Sequence, residues 1–203
     1  MELADQDDRI KWNQFRNGND SALAAIYAAH ADGLYLYGQK FTRNRALIED
    51  ALHDLFIDLI RNRQTIGHTE SVRFYLMKAF RRKLIRQLKK EARYGDDRLQ
   101  ESLFDVRYPA EHEMISEEGK QQTARSLARA VGALSPRQKE AIYLRFQKEL
   151  DYAEVAEIMG MGIEASRNLI YRAVKSLKEA LQTSGVTSVL LVFLKKLQFS
   201  EKK

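Results

Sequence analysis

The fold is decided by residues 151–181, DYAEVAEIMGMGIEASRNLIYRAVKSLKEAL, whose punctuation predicts two helices joined by a tight turn. Asp151 stands where an N-cap residue would accept a hydrogen bond from the first helical turn. The first helix then ends at Gly160, where the turn requires a positive φ that glycine adopts without strain. A second, longer helix starts near Gly162 or Ile163. A short helix, a three-residue turn and a long helix are typical of a helix-turn-helix.

The second helix of this motif, which extends to about Leu181, predicts DNA binding. Such a helix lies in the major groove with its early side chains on base edges. Arginine pairs with guanine and asparagine with adenine, while lysine and arginine also hold phosphates. A helical hairpin without a ligand is the alternative, but the caps, the spacing and the small Ala156 at the helix crossing agree with DNA binding. The side chains predicted to face DNA are Glu164, Arg167, Asn168, Tyr171, Arg172 and Lys175.

A second stretch, VRFYLMKAFRRKLIRQLKK at residues 72–90, combines eight Lys or Arg with three aromatic residues and no acid. Large apolar residues recur every fourth position from Leu76 to Leu88, so one face of this predicted helix is buried. Aromatic rings stack on unpaired bases and neighbouring cations follow the backbone, so the pattern favours melted DNA over a face that meets only water. The side chains predicted to make these contacts are Phe74, Tyr75, Lys78, Arg81, Arg82 and Arg86.

The preceding segment, ALIEDALHDLFIDLIRN at residues 46–62, predicts a helix with an acidic stripe. Asp50, Asp54 and Asp58 recur at four-residue spacing and stack along one face. With His53 they offer the ligand types of a metal site, and a metal-dependent nuclease using Asp50, His53 and Asp54 is one hypothesis. The spacing spreads the carboxylates over about two turns, so one ion would reach only two of them. The pattern therefore favours a docking face for a basic or polar partner helix, and we predict no metal or cofactor.

Charge alternates in blocks along the 203 residues and indicates two domains. Residues 61–93 carry eleven cations against two acids, whereas residues 94–118 carry eight acids against two cations and show no sustained periodicity. The acidic block is typical of a flexible linker. Strong helix formers dominate elsewhere, so we predict an all-α protein with two small helical domains. The predicted bounds are 10–93 for the first domain, 94–122 for the linker, 123–183 for the helix-turn-helix domain and 184–203 for an apolar tail. The tail is interpreted as a closing helix packed on the second domain, with a partner-binding helix as the alternative.

The composition also limits the chemistry and the compartment. A net charge of +6 and an isoelectric point near 9.4 favour a polyanionic partner. The lack of cysteine excludes disulfides and thiolate metal sites, and it fits a reducing compartment. The N-terminus is too acidic for a secretory signal, and the apolar run near the C-terminus is too short to span a bilayer. We expect a soluble cytoplasmic protein without catalytic residues, since no phosphate-binding loop, Ser–His–Asp arrangement or cysteine nucleophile is present.

Taken in order, these segments resemble the extracytoplasmic-function (ECF) sigma factors of bacterial RNA polymerase. LSPRQKEAIYLRFQKELDYAEVAEIMG, at residues 134–160, opens a stretch similar to the family's region 4, which recognises the −35 promoter element. Residues 20–64 resemble the first part of region 2, and residues 72–90 resemble the part that melts and reads the −10 element. The resemblance implies a non-enzymatic protein whose partners are core RNA polymerase, promoter DNA and an anti-sigma factor, with no small-molecule substrate.

The resemblance also implies roles for particular residues. The family's polymerase-binding helix corresponds to residues 53–60 and docks on the clamp helices of the largest polymerase subunit. The chain departs from the family pattern at His53, where glutamine is usual, and at Ser166, where an apolar anchor is usual. Arg82 and Arg86 stand where asparagine and aspartate are common, which implies more weight on phosphate contact at the −10 element. The implied polymerase-binding residues are Asp50, His53, Asp54, Phe56 and Asp58.

A stand-alone LuxR-like regulator with a helix-turn-helix is the alternative, because LSPRQKE also resembles the start of that domain. Such a protein usually dimerises on palindromic duplex DNA without polymerase. The N-terminal half discriminates between the two, since a receiver or ligand-binding domain would contain strands and none is predicted here.

Overall fold

The chain folds as two compact units, Met1–Leu103 and Phe104–Lys203, in a computed structural model that describes residues 2–91, 104–105, 126 and 128–182. Among these residues every regular element is helical. The predicted all-α class with two helical domains is therefore confirmed. Each unit has its own buried core.

The described part of the N-terminal unit, residues 2–91, contains four helices, and the starts of the second and third follow local capping chemistry. Asn19 accepts hydrogen bonds from the backbone N–H groups of Ser21 and Ala22, which satisfies two donors that a helix leaves unpaired at its start. Asn44 caps the third helix in the same way. The first helix starts at Glu2, ahead of residue 10, where the predicted bounds of this domain begin. The helices are α1 Glu2–Arg16, α2 Asp20–Gly38, α3 Arg45–Arg61 and α4 Val72–Glu91.

The core of this unit joins all four helices. α1 packs on α2, α3 packs on α4, and α2 also contacts α3 and α4. The largest side chains without solvent exposure include Trp12 and Phe15 from α1 and Phe80 from α4. The Trp12 ring lies 4.9 Å from that of Tyr75, and its Nε1 donates a hydrogen bond to the carbonyl of Gly67 at 3.1 Å. α1 is thereby held on both α4 and the loop that precedes it.

Gly38, the last residue of α2, lies where three helices meet closely. A Cβ atom built there would stand 2.8 Å from Cγ2 of Ile48 on α3 and 3.1 Å from Cζ of Phe80 on α4. Both side chains are fully or almost fully buried. The absence of a side chain at Gly38 therefore lets α2 approach the other two helices.

Among the described residues of the C-terminal unit, the last helix is the longest, and the two helices before it pack against it. Residues 128–132 are helical, and the cluster formed by Ala130, Val131 and Leu134 packs against the second half of the last helix. Ser135 forms the predicted capping box with Gln138 at the next helix start. The remaining elements are α5 Pro136–Ile142, a π-helical turn Tyr143–Gln147, α6 Tyr152–Met159 and α7 Ile163–Gln182. The π-helical turn has no counterpart in the sequence prediction.

Two residues of the predicted linker belong to this second unit. Phe104 is 2% exposed, and its ring centroid lies 5.7 Å from that of Tyr143. Asp105 pairs with Lys139 of α5 at 3.4 Å. The predicted linker from 94 to 122 is thus interrupted by a packed pair. Its other residues, and the predicted tail at 184–203, lie outside the described residues.

Candidate functional site

The helix-turn-helix forms as its sequence predicted. Asp151 makes a capping box with Glu154 at the start of α6. Gly160 ends that helix with φ of 65°, the left-handed conformation that glycine adopts most easily. Ala156, which is 2% exposed, accepts a 2.9 Å hydrogen bond from the backbone N–H of Met161 in the turn. The small side chain and the glycine together set the angle at which α7 leaves the turn.

The six side chains predicted to face DNA all lie on the exposed side of α7. Glu164 accepts a hydrogen bond from Arg167 at 2.9 Å, so the acid that would repel phosphate is neutralised by its neighbour. Arg172 donates to the carbonyl of Asn168 at 3.3 Å. Exposed pairs of this kind contribute little to stability, so these groups can exchange their partners for DNA at small cost.

Arg167 is also held from the preceding helix. Its guanidinium carbon lies 5.7 Å from the ring centroid of Tyr152, the first residue of α6. Arg145, buried in the π-helical turn, lies 4.7 Å from the same ring and donates to the carbonyl of Leu150 at 3.0 Å. Cations within about 6 Å of an aromatic centroid are attracted by the ring. Tyr152 therefore links the framework of the domain to a predicted base-reading side chain.

Sequence reasoning missed two residues of this surface, Tyr152 and Ile163. Tyr152 was not singled out from the sequence, because its contact with Arg167 joins two helices and depends on the fold. Ile163 is 46% exposed at the start of α7, where an apolar side chain can meet the methyl group of thymine. An apolar residue at the first position of the predicted second helix was the available sequence signal. Ser166 is buried, and its hydroxyl finds no hydrogen-bond partner among the described residues.

The basic stretch forms α4 with the predicted buried face: Leu76, Phe80 and Leu84 have no solvent exposure. Lys78, Arg82 and Arg86 are exposed, whereas Phe74, Tyr75 and Arg81 are only partly exposed. Lys78 lies 5.9 Å from the centroid of the Phe74 ring. Burial raises the pKa of Tyr75, whose ring packs on Trp12. Tyr75 therefore presents only part of its ring to a base.

The acidic stripe of α3 is turned largely toward α4. Lys83, 6% exposed, places its Nζ 2.5 Å from a carboxylate oxygen of Asp58. This hydrogen bond lowers the pKa of Asp58 below its usual value, against the opposing effect of burial. Gln87 donates to Asp54 at 3.2 Å. Two of the three aspartates of the stripe are thus bonded to α4 of the same chain, and docking of a further partner helix on α3 stays a prediction.

The implied polymerase-binding residues therefore separate into three groups. Asp50 and His53 are exposed, whereas Asp54 and Asp58 are partly exposed and bonded to α4. Phe56 is 7% exposed, and its ring meets that of Tyr27 edge-on at 4.9 Å. Phe56, although implied for polymerase docking, lies in the core of the unit against α2, and its role in docking stays a prediction.

The described residues contain no group of three or more histidine, cysteine, aspartate or glutamate side chains that could hold a metal ion. None of their helices is long and apolar enough to cross a membrane.

Known proteins match both units of the chain. The sigma-70 region 2 family matches residues 26–94, and the sigma-70 region 4 family matches residues 124–177. The ECF RNA polymerase sigma factor SigM of Bacillus subtilis is 30% identical over 166 residues, which cover 79% of this chain and 95% of SigM. The chain belongs to the ECF sigma factor family. The resemblance read from the sequence is thereby confirmed.

This sigma factor is also similar to a second curated relative and to a solved structure. The ECF sigma factor BldN of Streptomyces coelicolor is 27% identical over 166 residues, which cover 81% of this chain but only 62% of BldN. A solved complex of the sigma factor RpoE with the anti-sigma factor NepR from Bartonella quintana resembles it with a TM-score of 0.54 and 19% identity, covering 78% of this chain and 96% of RpoE. That likeness supports the fold. The region 2 match begins inside α2, so α1 lies outside it.

Proposed function

We propose that this ECF sigma factor binds core RNA polymerase and directs it to promoters through −10 and −35 recognition. The observation that carries the proposal is the presence, in family order on one chain, of α4 with its exposed cations and of a helix-turn-helix with an exposed Arg and Asn face. In this proposal the protein acts in the cytoplasm, is not itself an enzyme, and needs no cofactor.

The first test is reconstitution with core polymerase and a promoter selected from genome-wide binding. We expect a transcript that depends on the promoter and on the added protein. Absence of this transcript on a promoter that the protein occupies in cells would refute the proposal. Palindrome binding by a dimer without polymerase would instead indicate the LuxR-like alternative, which leaves the region 2 match unexplained. Cleavage of DNA that requires a divalent metal would revive the nuclease hypothesis.

For the −35 element, we propose that α7 lies in the major groove with Arg167, Asn168 and Arg172 on base edges. Tyr171 and Lys175 contact the backbone, and Glu164 either accepts from a cytosine amine or orients Arg167. Arg167→Ala should reduce discrimination at one base pair by about 1–3 kcal/mol. Lys178→Ala, at another exposed position of the same helix, is the matched control and should leave discrimination unchanged. Equal discrimination by both variants would remove Arg167 from the base-reading set.

For the −10 element, we propose that the exposed cations of α4 hold the backbone of melted DNA, with Phe74 and the accessible part of Tyr75 near an unstacked base. Paired substitution of Arg82 and Arg86 by glutamine should weaken binding to all melted sequences alike. It should also reduce the slope of the log binding constant against log salt concentration by the amount expected for about two lost phosphate contacts. Loss of binding to one sequence only would mean that these arginines read bases.

For polymerase docking, we propose that Asp50 and His53 lead the contact and that Asp54 contributes from its edge. Asp54→Arg should impair polymerase binding, but it also breaks the hydrogen bond that Gln87 donates. Gln87→Ala removes the same hydrogen bond while keeping the carboxylate, and is therefore the control. Polymerase affinity that falls equally in both variants would show that α4 is displaced and that Asp54 makes no docking contact.

An anti-sigma factor is the remaining proposed partner. The relative RpoE was crystallised with the anti-sigma factor NepR, which supports the same class of partner for this sigma factor. Purification of the protein from its native cells, followed by mass spectrometry of bound proteins, tests this proposal. A protein that competes with core polymerase for binding would confirm it, and recovery of polymerase alone under non-inducing conditions would refute it.

A further inference from the structure

Arg145, in the π-helical turn, is a buried charged side chain with an incomplete set of hydrogen bonds. It is 7% exposed, and its Nη1 donates a hydrogen bond to the carbonyl of Leu150 at 3.0 Å. Its Nε is buried and has no hydrogen-bond partner among the described residues. Its guanidinium carbon lies over the ring of Tyr152, 4.7 Å from the centroid. Because a cation–π contact strengthens when it is shielded from water, this ring offsets part of the cost of burying Arg145.

The hydrogen bond to Leu150 also fixes the chain where it enters α6. The N–H of Leu150 donates to the carbonyl of Leu144 at 3.2 Å, while its own carbonyl accepts from Arg145. Glu149, just before it, has φ of 55°, a strained conformation that persists where surrounding contacts hold it. Tyr152 begins α6 two residues after Leu150. Arg145 therefore fixes both the backbone that leads to Tyr152 and the ring itself.

Arg167 approaches the same ring from α7. Its guanidinium carbon lies 5.7 Å from the centroid of Tyr152, and its Nη1 donates to Glu164 at 2.9 Å. The side chain is nevertheless 57% exposed, so its guanidinium can meet DNA. An arginine on a flexible stem loses conformational freedom when it binds, and a side chain that is already restricted loses less. The ring and the carboxylate thus restrict Arg167 before DNA arrives.

We propose that Arg145 and Tyr152 are positioning residues for base reading at the −35 element. In this proposal Arg145 fixes the Tyr152 ring, and the ring orients the guanidinium of Arg167 toward a guanine. The inference rests on the proposed function. Bidentate pairing with guanine requires a particular orientation of the guanidinium, whereas attraction to the phosphate backbone depends mainly on its charge. Loss of the ring should therefore reduce discrimination between bases more than it reduces overall affinity for DNA.

NMR ring-current shifts in the full-length protein test the contact without DNA or polymerase. Nuclei that lie over an aromatic face resonate upfield, so we expect upfield shifts of the side-chain Hδ and Hε protons of Arg167 in the parent. Tyr152→Phe keeps the aromatic face and should keep these shifts. Tyr152→Leu keeps an apolar side chain without that face and should abolish them. Identical Arg167 shifts in the parent and in Tyr152→Leu would overturn the inference.

The role of Arg145 is tested by Arg145→Lys, because complete removal of the side chain would leave the Leu150 carbonyl unpaired. Lysine keeps the buried charge and a hydrogen-bond donor, but it lacks the planar guanidinium that stacks on an aromatic ring. The upfield shifts of Arg167 should therefore be smaller in Arg145→Lys than in the parent. Base discrimination should fall by less than in Tyr152→Leu. Parental values of both quantities in Arg145→Lys would remove Arg145 from the proposal.

Two promoters that differ at one base pair test the consequence, and this is the base pair at which Arg167→Ala loses discrimination. Each variant is bound to core polymerase, and the readout is the ratio of its affinities for the two promoters. Tyr152→Leu should reduce this ratio about three-fold, the effect expected for an exposed cation–π contact, whereas Tyr152→Phe should keep it. When Arg167 is already replaced by alanine, Tyr152→Leu should reduce the ratio no further.

Three results of this binding experiment would overturn the inference. A merely structural role of Tyr152 would lower both affinities equally and leave their ratio unchanged. An equal loss of the ratio in Tyr152→Phe and Tyr152→Leu would assign the effect to the hydroxyl group. A further loss in the Arg167→Ala background would assign it to a separate contact of Tyr152 with DNA. A parent protein without preference among −35 sequences would instead refute the proposed function and leave the NMR result standing.

Discussion

Gly38→Ala should destabilise the N-terminal unit by about 1–2 kcal/mol, although alanine is the better helix former. The added methyl group would stand 2.8 Å from Cγ2 of Ile48 and 3.1 Å from Cζ of Phe80. These side chains are 1% and 0% exposed, so neither can turn aside into solvent. Overpacking a tight core costs about 1–3 kcal/mol, whereas replacing a helical glycine by alanine gains about 0.5–1 kcal/mol. The steric cost therefore exceeds the gain.

Native-state hydrogen exchange measures this change in stability for the N-terminal unit separately from the C-terminal unit. The slowest amides of α2, α3 and α4 exchange through global opening of the N-terminal unit, so their exchange free energies should fall by the same 1–2 kcal/mol, about the size estimated above. Gly67→Ala is the matched control in the same unit, since a Cβ there meets no atom within 4 Å. We expect the control to change stability by less than about 0.5 kcal/mol.

A second background separates steric overlap from other effects of the substitution. Ile48→Ala removes the closest atom and alone should cost about 2–5 kcal/mol. When Gly38→Ala is added to it, the new methyl group enters the space that is left, and the further cost should disappear. Equal costs for Gly38→Ala in the two backgrounds, or a Gly38→Ala protein as stable as Gly67→Ala, would refute the close-approach explanation.

Three further predictions concern single side chains. Asp58→Asn should lower the unfolding free energy by about 1 kcal/mol in urea, a value discounted because the carboxylate is 48% exposed. Because Lys83 lowers the pKa of Asp58, the ion pair contributes to the unfolding free energy above about pH 4, and this contribution is lost as the pH falls through the folded-state pKa. The difference in stability between Asp58→Asn and the parent should therefore vanish in acid. Burial raises the pKa of Tyr143 to about 12. The C-terminal unit should therefore keep its stability below pH 10 and lose about 2–3 kcal/mol of unfolding free energy as the pH rises to 12. Tyr143→Phe should lose less stability over the same titration, and equal losses in the two proteins would refute the assignment. Ser166→Ala removes a buried hydroxyl without a partner among the described residues, and thermal unfolding should show a gain of about 1 kcal/mol, whereas a loss would reveal a hidden hydrogen bond.

Features that depend on neighbours in sequence were predicted correctly. The caps at Ser135 and Asp151 and the left-handed Gly160 follow from the hydrogen-bonding and steric properties of those residues within one turn. The buried face of α4 follows from its periodicity, because a helix places every fourth residue on nearly the same side. These local signals were enough to define the helix-turn-helix and the direction of its exposed side chains.

Features that depend on contacts between helices were not predictable in the same way. Periodicity placed Asp54 and Asp58 on one face of α3, but only the packing of α3 on α4 shows that Lys83 and Gln87 occupy that face. Phe104 stands in a segment with loop-like composition, and its burial depends on a site formed by the π-helical turn. The partner of a charged or aromatic side chain on another helix depends on how the helices pack, and the sequence pattern of one helix does not show it.

Trp12 gives the molecule an optical signal that is confined to one half. It is the single tryptophan among 203 residues and has no solvent exposure, so its fluorescence should shift to longer wavelength only when the N-terminal unit opens. Unfolding of the C-terminal unit should leave that emission unchanged. The indole also lies 4.9 Å from Tyr75 on α4, so a melted strand that displaces this tyrosine should alter the emission of the unlabelled protein. Promoter melting could thus be followed in real time, without any dye, from the sigma factor's own side.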